Sequence, residues 1–260
     1  MSGTAPPGSM KQSHQAPPGS AAWMQAGAIQ LAPLDAGLLA MELYDADPIR
    51  VGNAYPHQRN YHGYYWMAAT EKHVWHESLL ERSSLMWLDH TADIVAIASQ
   101  PVLFVNGDGV RHYPDFLALD ERGVQTVYDV KPYGRLNAKA RAQFEWTREV
   151  CKTVGWDYRV LTELPHQHQV NLTWLAQFRQ PGHHPGPEAE AELLAGLNPG
   201  STVGDAINLM AAKSTPQARS NVFHLLWTGI LAIDMNARLS NSTPLITAAS
   251  TRQEFPHVRP

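Results

Sequence analysis

Cysteine is nearly missing: Cys151 is the only one in 260 residues. No intramolecular disulfide can form, which fits a reducing compartment such as the cytoplasm. Charge is sparse too, at 17 % of residues, with a formal net charge of −4. That sign is wrong for a protein that coats nucleic acid by bulk charge. No stretch approaches eighteen uninterrupted apolar residues, so no membrane span is expected. The first residues lack the basic-then-apolar order of a secretory signal. A phosphate-cradling Gly-x-x-x-x-Gly-Lys is absent, which argues against ATP binding, and Asn106-Gly107-Asp108-Gly109 reads as a hairpin turn. Serine and cysteine nucleophile signatures are missing, and Cys151 falls on the apolar side of an expected helix. Thirteen histidines raise the question of zinc. His73-x-x-His76 at helical spacing, followed by Glu77, is not His-Glu-x-x-His. His166-x-His168 and His183-His184 are expected in loops and have no partner cysteines.

What is present suits a globular α/β protein. The hydrophobic share is 44 %, enough to bury one large core or two smaller ones. Residues 1–22, rich in Pro, Gly and Ser, are expected to be a disordered tail. Residues 23–54 form an N-terminal extension with a short helix over Ala36–Tyr44, and 55–180 form the main domain. Within that domain Thr70–His90 is expected as a helix, placing Glu77 and Glu81 on one face. Ile94–Val105, Val110–Leu119 and Val124–Val130 follow as a three-strand meander. Asn137–Val154 reads as a helix that Gly155 stops, and Trp156–Leu161 as a strand returning beside the third through a helical crossover. The expectation is a mixed sheet of about four strands flanked by helices. A Pro/Gly/His linker spans 181–187. Residues 188–260 read as a small, mainly helical domain, with helices over Glu188–Leu197, Val203–Ala212, Gln217–Thr228 and a segment ending near Leu239. Gly229–Asp234 and Pro244–Ala248 are candidates for a wing.

Chemistry concentrates in the middle of the chain. Asp115 follows a proline in Tyr113-Pro114-Asp115-Phe116, and Asp129 precedes Lys131 by two in Tyr128-Asp129-Val130-Lys131. Side chains two apart on a strand share a face, and a neighbouring antiparallel strand is about 5 Å away, so Asp115 can stand beside Asp129. Two or three carboxylates plus a backbone carbonyl are the natural protein share of a Mg²⁺ site, because that ion prefers hard oxygen ligands and keeps several waters. Asp115, Asp129 and the Val130 carbonyl are the expected metal ligands. Glu81, with Glu77 as its alternative, would close the site from the helix. Lys131 would orient a water and stabilise developing negative charge. Taken singly, each of these residues also has an ordinary reading as a turn, a solvated strand residue or a polar helix face. From Lys131 to Lys152 six bases face two acids, a local balance of +4. Arg135, Lys139 and Arg141 in that run are candidates for contacting DNA phosphates.

A Pro-Asp step followed about one hairpin later by acid, apolar residue and lysine resembles the PD-(D/E)XK nuclease signature. His76-Glu77-Ser78-Leu79-Leu80-Glu81-Arg82, Asp93-Ile94-Val95, Ser99-Gln100-Pro101-Val102, His112-Tyr113-Pro114-Asp115-Phe116 and Asp129-Val130-Lys131-Pro132 together resemble TnsA, the endonuclease subunit of heteromeric transposases. Gln58-Arg59-Asn60-Tyr61 and Tyr64-Tyr65-Trp66 are similar to the shorter actinobacterial-type members. The resemblance covers about residues 55 to 165. It implies a restriction-endonuclease-like core and cleavage of DNA at mobile-element 5′ ends with Mg²⁺ or Mn²⁺, alongside a partner transposase. It also implies a bacterial, cytoplasmic, DNA-associated protein. Family roles fall on Glu81, Asp115 and Lys131, with Asp129 at the variable acid or amide position and Gln100 as a candidate for supporting the site. Two other readings stay open: a structure-specific nuclease cutting branched DNA as a homodimer, and a non-catalytic DNA-binding or scaffold subunit.

Overall fold

The computed structural model describes residues 16–50, 61–211 and 217–246. It is a mixed α/β structure whose chain divides into two compact units. Within the described residues the first unit comprises 16–85 and 93–163, and the second 86–92 and 164–246.

The first unit opens with strand β1 (Ser20–Gln25) and strand β2 (Ala28–Pro33), an antiparallel hairpin turned at Ala26-Gly27. Both turn residues have positive φ, 50° and 76°, as the tightest right-twisting hairpin turns require. Strand formation at Ser20, and burial of Ala16, place 16–22 inside the unit and not in a disordered tail. The rest of that expected tail lies outside the described residues. The Ala36–Tyr44 segment forms two short 3-10 turns, Ala36–Met41 and Leu43–Asp45, the first capped by Asp35. Ala21, Trp23, Leu38 and Leu43 lie in one core cluster with Val102, Phe104, Leu117, Val127, Cys151 and Trp156. The N-terminal extension is therefore part of the main core.

Strands β3 (Gly63–Met67) and β4 (Lys72–His76) form a separate hairpin. The helix expected from Thr70 therefore starts later, as α1 (Leu79–Thr91). Lys72–His76 has no Pro or Gly to separate strand from helix, and pairing with β3 decides its state. His73 and His76, an odd number of residues apart on a strand, point to opposite faces, so the helical spacing once read for them does not exist.

The expected three-strand meander is also different. Ile94–Val105 is two strands, β5 (Ile94–Ser99) and β6 (Val102–Val105), broken at Gln100-Pro101. Gln100 takes φ 46°, and Pro101 has no N–H for a ladder. The partner arm breaks at the same level, into β7 (Arg111–His112) and β8 (Phe116–Asp120), around Pro114. One hairpin thus passes from one sheet into another. Its upper half completes the order β2-β1-β6-β7. Its lower half joins β9 (Gln125–Val130) and β10 (Asp157–Leu161) in the order β10-β9-β8-β5. There β8 runs antiparallel to β5 and β9, while β9 and β10 are parallel. The crossover between them carries α2 (Ala138–Val154), capped by Asn137 and ended by Gly155 at φ 98°. Its buried residues Ala140, Phe144, Thr147, Val150, Cys151 and Val154 recur at helical spacing and form its core face.

The second unit is mainly helical: α3 (His166–Leu175), α4 (Pro187–Gly196), α5 (Val203–Ala211) and α6 (Ala218–Trp227), together with the last turns of α1. His166 and His168 lie in α3 and not in a loop. Pro181–His183, within the expected linker, is a 3-10 turn inside this unit. No helix ends near Leu239. Instead Asn171 donates its amide to the carbonyls of Met235 and Ala237, at 2.9 and 2.7 Å, fixing a turn. The candidate wing is reduced, among the described residues, to the isolated bridge Ala232↔Ile246. Among the described residues, no helix is long and apolar enough to cross a membrane.

Candidate active site

A cleft of about 430 Å³ opens in the first unit where the two sheets share their hairpin. It collects residues that are far apart in sequence: Arg50, Glu77, Glu81, Arg111, His112, Asp115, Asp129, Lys131 and Arg135 all line it.

Asp115 sits just after the sheet-to-sheet break, and its backbone and side chain both hold it against β9. Its N–H donates to the Tyr128 carbonyl at 3.0 Å, and its carbonyl accepts the Gln100 N–H at 2.8 Å. Its Oδ2 accepts the Val130 N–H at 2.6 Å. Burial drives the Asp115 carboxyl well above its ordinary range, and the negative charges of Asp129 and Glu81 push it further, against the Val130 hydrogen bond. Asp115, Asp129 and Glu81 all line this cleft.

Asp129 is 2 % exposed. Its Oδ2 receives two hydrogen bonds, from His112 Nε2 at 2.9 Å and from the Tyr158 hydroxyl at 2.6 Å. Lys131 follows two residues later on the same face, half-buried, with its N–H on the Leu161 carbonyl at 2.9 Å. The period-2 reading of β9 therefore delivers both side chains to the cleft, with Val130 between them.

Glu81 and Glu77 reach the cleft differently from the expectation. Glu77 precedes α1, so the two do not share a helix face. Glu81 caps the helix: its Oε2 accepts the Glu77 N–H at 2.6 Å and its Oε1 the Ser78 hydroxyl at 2.8 Å, while Ser78 Oγ accepts the Glu81 N–H at 3.1 Å. This is a variant of the capping box. Burial raises the Glu81 carboxyl, opposed by these two hydrogen bonds. Glu77 Oε1 is buried with no hydrogen-bond partner among the described residues.

Of the expected phosphate contacts, Arg135 lines the cleft, whereas Lys139 and Arg141 are exposed on the first turn of α2 and do not. Gln100 does not line it either. Its part is in the backbone, where it joins Asp115 to Ile49 through main-chain hydrogen bonds, at 2.8 and 3.0 Å. Four further residues escaped the sequence reading. His112 lay in a quoted motif without an assigned role. Arg50, over the Tyr113 ring at 5.6 Å, belongs to the N-terminal extension. Gln143 and Tyr158 come from α2 and β10, and only the tertiary fold brings them near Asp129.

Carboxylates of this kind are the donor set a hard divalent cation takes, and the buried, unpartnered Glu77 oxygen adds a fourth candidate. The residues fit such an ion in chemistry. Among the described residues, however, no group of three or more His, Cys, Asp or Glu side chains is already arranged to hold one.

No protein-family model matches the chain, and no curated protein matches it in sequence.

Proposed function

We propose that the protein is a metal-dependent DNA endonuclease of the PD-(D/E)XK kind, similar to TnsA, hydrolysing phosphodiester bonds. The observation that carries this reading is the clamp of Asp115 on Tyr128 and Val130, which sets its carboxylate beside Asp129 and Lys131 in one cleft. The element order supports it: helix, β5, β8, β9, helix, β10, with β8 alone reversed, is the order expected of a restriction-endonuclease-like core. A winged form of the second unit belongs to the same proposal, with the Ala232↔Ile246 bridge as its support.

Asp115 and Asp129 would hold Mg²⁺ or Mn²⁺, together with the Val130 carbonyl and Glu81 or Glu77. When bound, such an ion neutralises phosphate charge and makes a water more acidic. The chain's own residues do the rest. Lys131 orients the attacking water and offsets the negative charge that builds on the phosphoryl oxygens. Arg50 and Arg135 flank the cleft as cations for the neighbouring phosphates. Hydrolysis places the water's hydroxyl on phosphorus and a proton on the departing sugar oxygen. The net charge of −4 gives the chain little general affinity for DNA, which favours a second DNA-bound protein, a transposase in the TnsA-like reading, as the source of targeting.

The test is cleavage of supercoiled plasmid and of branched DNA by the purified chain in Mg²⁺ or Mn²⁺. Asp115→Ala and Lys131→Ala should each lower cleavage by at least 100-fold, on the order of a removed charge-stabilising group. Full activity in either variant would overturn the site. Preference for branched substrates would favour a homodimeric junction nuclease over an end-cutting subunit. A non-catalytic subunit is the second reading, favoured by the engagement of both Glu81 oxygens in capping. Binding of DNA without cleavage under every condition would support it.

A further inference from the structure

We propose that His112 and Tyr158 are positioning residues for Asp129. They fill one of its oxygens, Oδ2, and leave Oδ1 as the oxygen Asp129 offers to a cation in the cleft. The inference rests on the metal-dependent reading above, and it concerns residues to which that reading gives no role.

Both donors meet the same atom, and they arrive from the edges of different sheets. His112 lies on β7 at the edge of the first sheet, and Tyr158 on β10 at the edge of the second. Asp129 lies on β9, between β8 and β10. A carboxyl oxygen this deeply buried, in a residue 2 % exposed, needs hydrogen-bond partners, and the two donors on Oδ2 supply them. Each donor is itself held. The Gln143 amide nitrogen of α2 meets His112 Nδ1. An amide N–H there can only donate, so Nδ1 accepts and the ring proton sits on Nε2, facing Asp129. His112 is 7 % exposed, so its ring is held inside the protein between these two partners. The Tyr158 ring is covered by the Arg148 guanidinium at 5.4 Å. The chain Gln143–His112–Asp129–Tyr158 thus fixes which way one carboxylate faces, using α2, β7, β9 and β10. Partners behind a metal ligand typically change metal affinity by about 10–100-fold when removed.

The experiment is Mn²⁺ binding by the full chain, followed by the loss of the free-ion electron paramagnetic resonance signal, with circular dichroism to confirm folding. Tyr158→Phe removes a single oxygen and His112→Leu removes the imidazole donor. His112→Gln keeps an N–H near the position of Nε2. Wild type should bind Mn²⁺, and Asp129→Asn should lose it. Tyr158→Phe and His112→Leu should weaken it by about tenfold or more, while His112→Gln stays within a few-fold of wild type. The same Mn²⁺ shift should appear in the cleavage assay without a change in KM for DNA. If Tyr158→Phe and His112→Leu titrate as wild type while Asp129→Asn does not, the positioning role is overturned and the metal site stands. If wild type takes up no Mn²⁺, or Asp129→Asn takes it up equally well, both the positioning role and the metal-dependent reading fall.

Discussion

At the scale of single residues, the site is built from carboxylates held where they are costly. Asp115 is raised by burial first, then by Asp129 and Glu81. Between its ordinary pKa of 3.8 and the raised folded value, the folded chain binds the proton more tightly than the unfolded chain does. Stability of the metal-free protein must therefore fall as pH rises through that window. Asp115→Asn removes the penalty and should raise the urea midpoint of metal-free protein at neutral pH, while abolishing any stabilisation by added Mg²⁺. An unchanged midpoint would mean that neither burial nor the neighbouring charges penalise the Asp115 carboxylate. Glu81 has two separable duties. Glu81→Ala should cost about 0.5–2 kcal/mol through loss of the cap as well as activity. Glu81→Gln, which can still cap, should retain stability and lose activity alone. Thermal melts and cleavage rates on both variants separate the two. Much of this site was legible beforehand. Proline before Asp115 and the two-residue step from Asp129 to Lys131 are local signals, and a strand's period carries them to one face. His112, Gln143, Tyr158 and Arg50 were not legible, because their roles arise only from contacts across 17 to 63 positions of sequence or from a segment that showed no pattern of its own.

At the scale of elements, the clearest readings were those with a stop signal. Asn137 and Gly155 bracket α2 within a residue of the expected bounds. Gly155→Ala should cost roughly 1 kcal/mol, because a side chain is strained at φ 98°. The turn at Ala26 offers the opposite case, a residue with a Cβ at φ 50°. Ala26→Asn, the residue such turns prefer, should stabilise by about 0.5–1 kcal/mol, read from urea unfolding. Where sequence reading failed, two signals competed. Gln100-Pro101 and Pro114 lie inside stretches that read as continuous strands, yet each proline denies the ladder a donor, and the breaks coincide across the hairpin. Lys72–His76 carries no such mark and was absorbed into the following helix. Ser20–Gln25, almost wholly buried, has no alternation to announce a strand.

At the scale of the whole molecule, the histidines that acid would force to charge are concentrated in the second unit. Burial lowers His90, His168 and His224, all in the second unit, and His90 falls to about 4. His76 is the histidine so affected among the described residues of the first unit. A lowered histidine leaves the folded state short of protons relative to the unfolded chain, so stability present above pH 6.5 is lost as pH falls towards 4. Amide protection factors, which allow for the slower intrinsic exchange at lower pH, should therefore fall in α3 and α6 on going from pH 7 to 5 more than in β8 and β9, where Asp115 responds in the other direction. An equal change in protection everywhere would contradict that assignment. The pairing of β1 with β6 has a consequence in time. Ser20 lies opposite Val105, so β1 can zip to β2 as soon as both leave the ribosome, but its other edge has no partner until Val102–Val105 is made, about 70 residues after β2 ends. At about 5–20 residues per second that is roughly 4–14 seconds of synthesis. Throughout it an apolar strand, Ser20-Ala21-Ala22-Trp23-Met24, presents an open ladder to whatever nascent chain or chaperone is nearby.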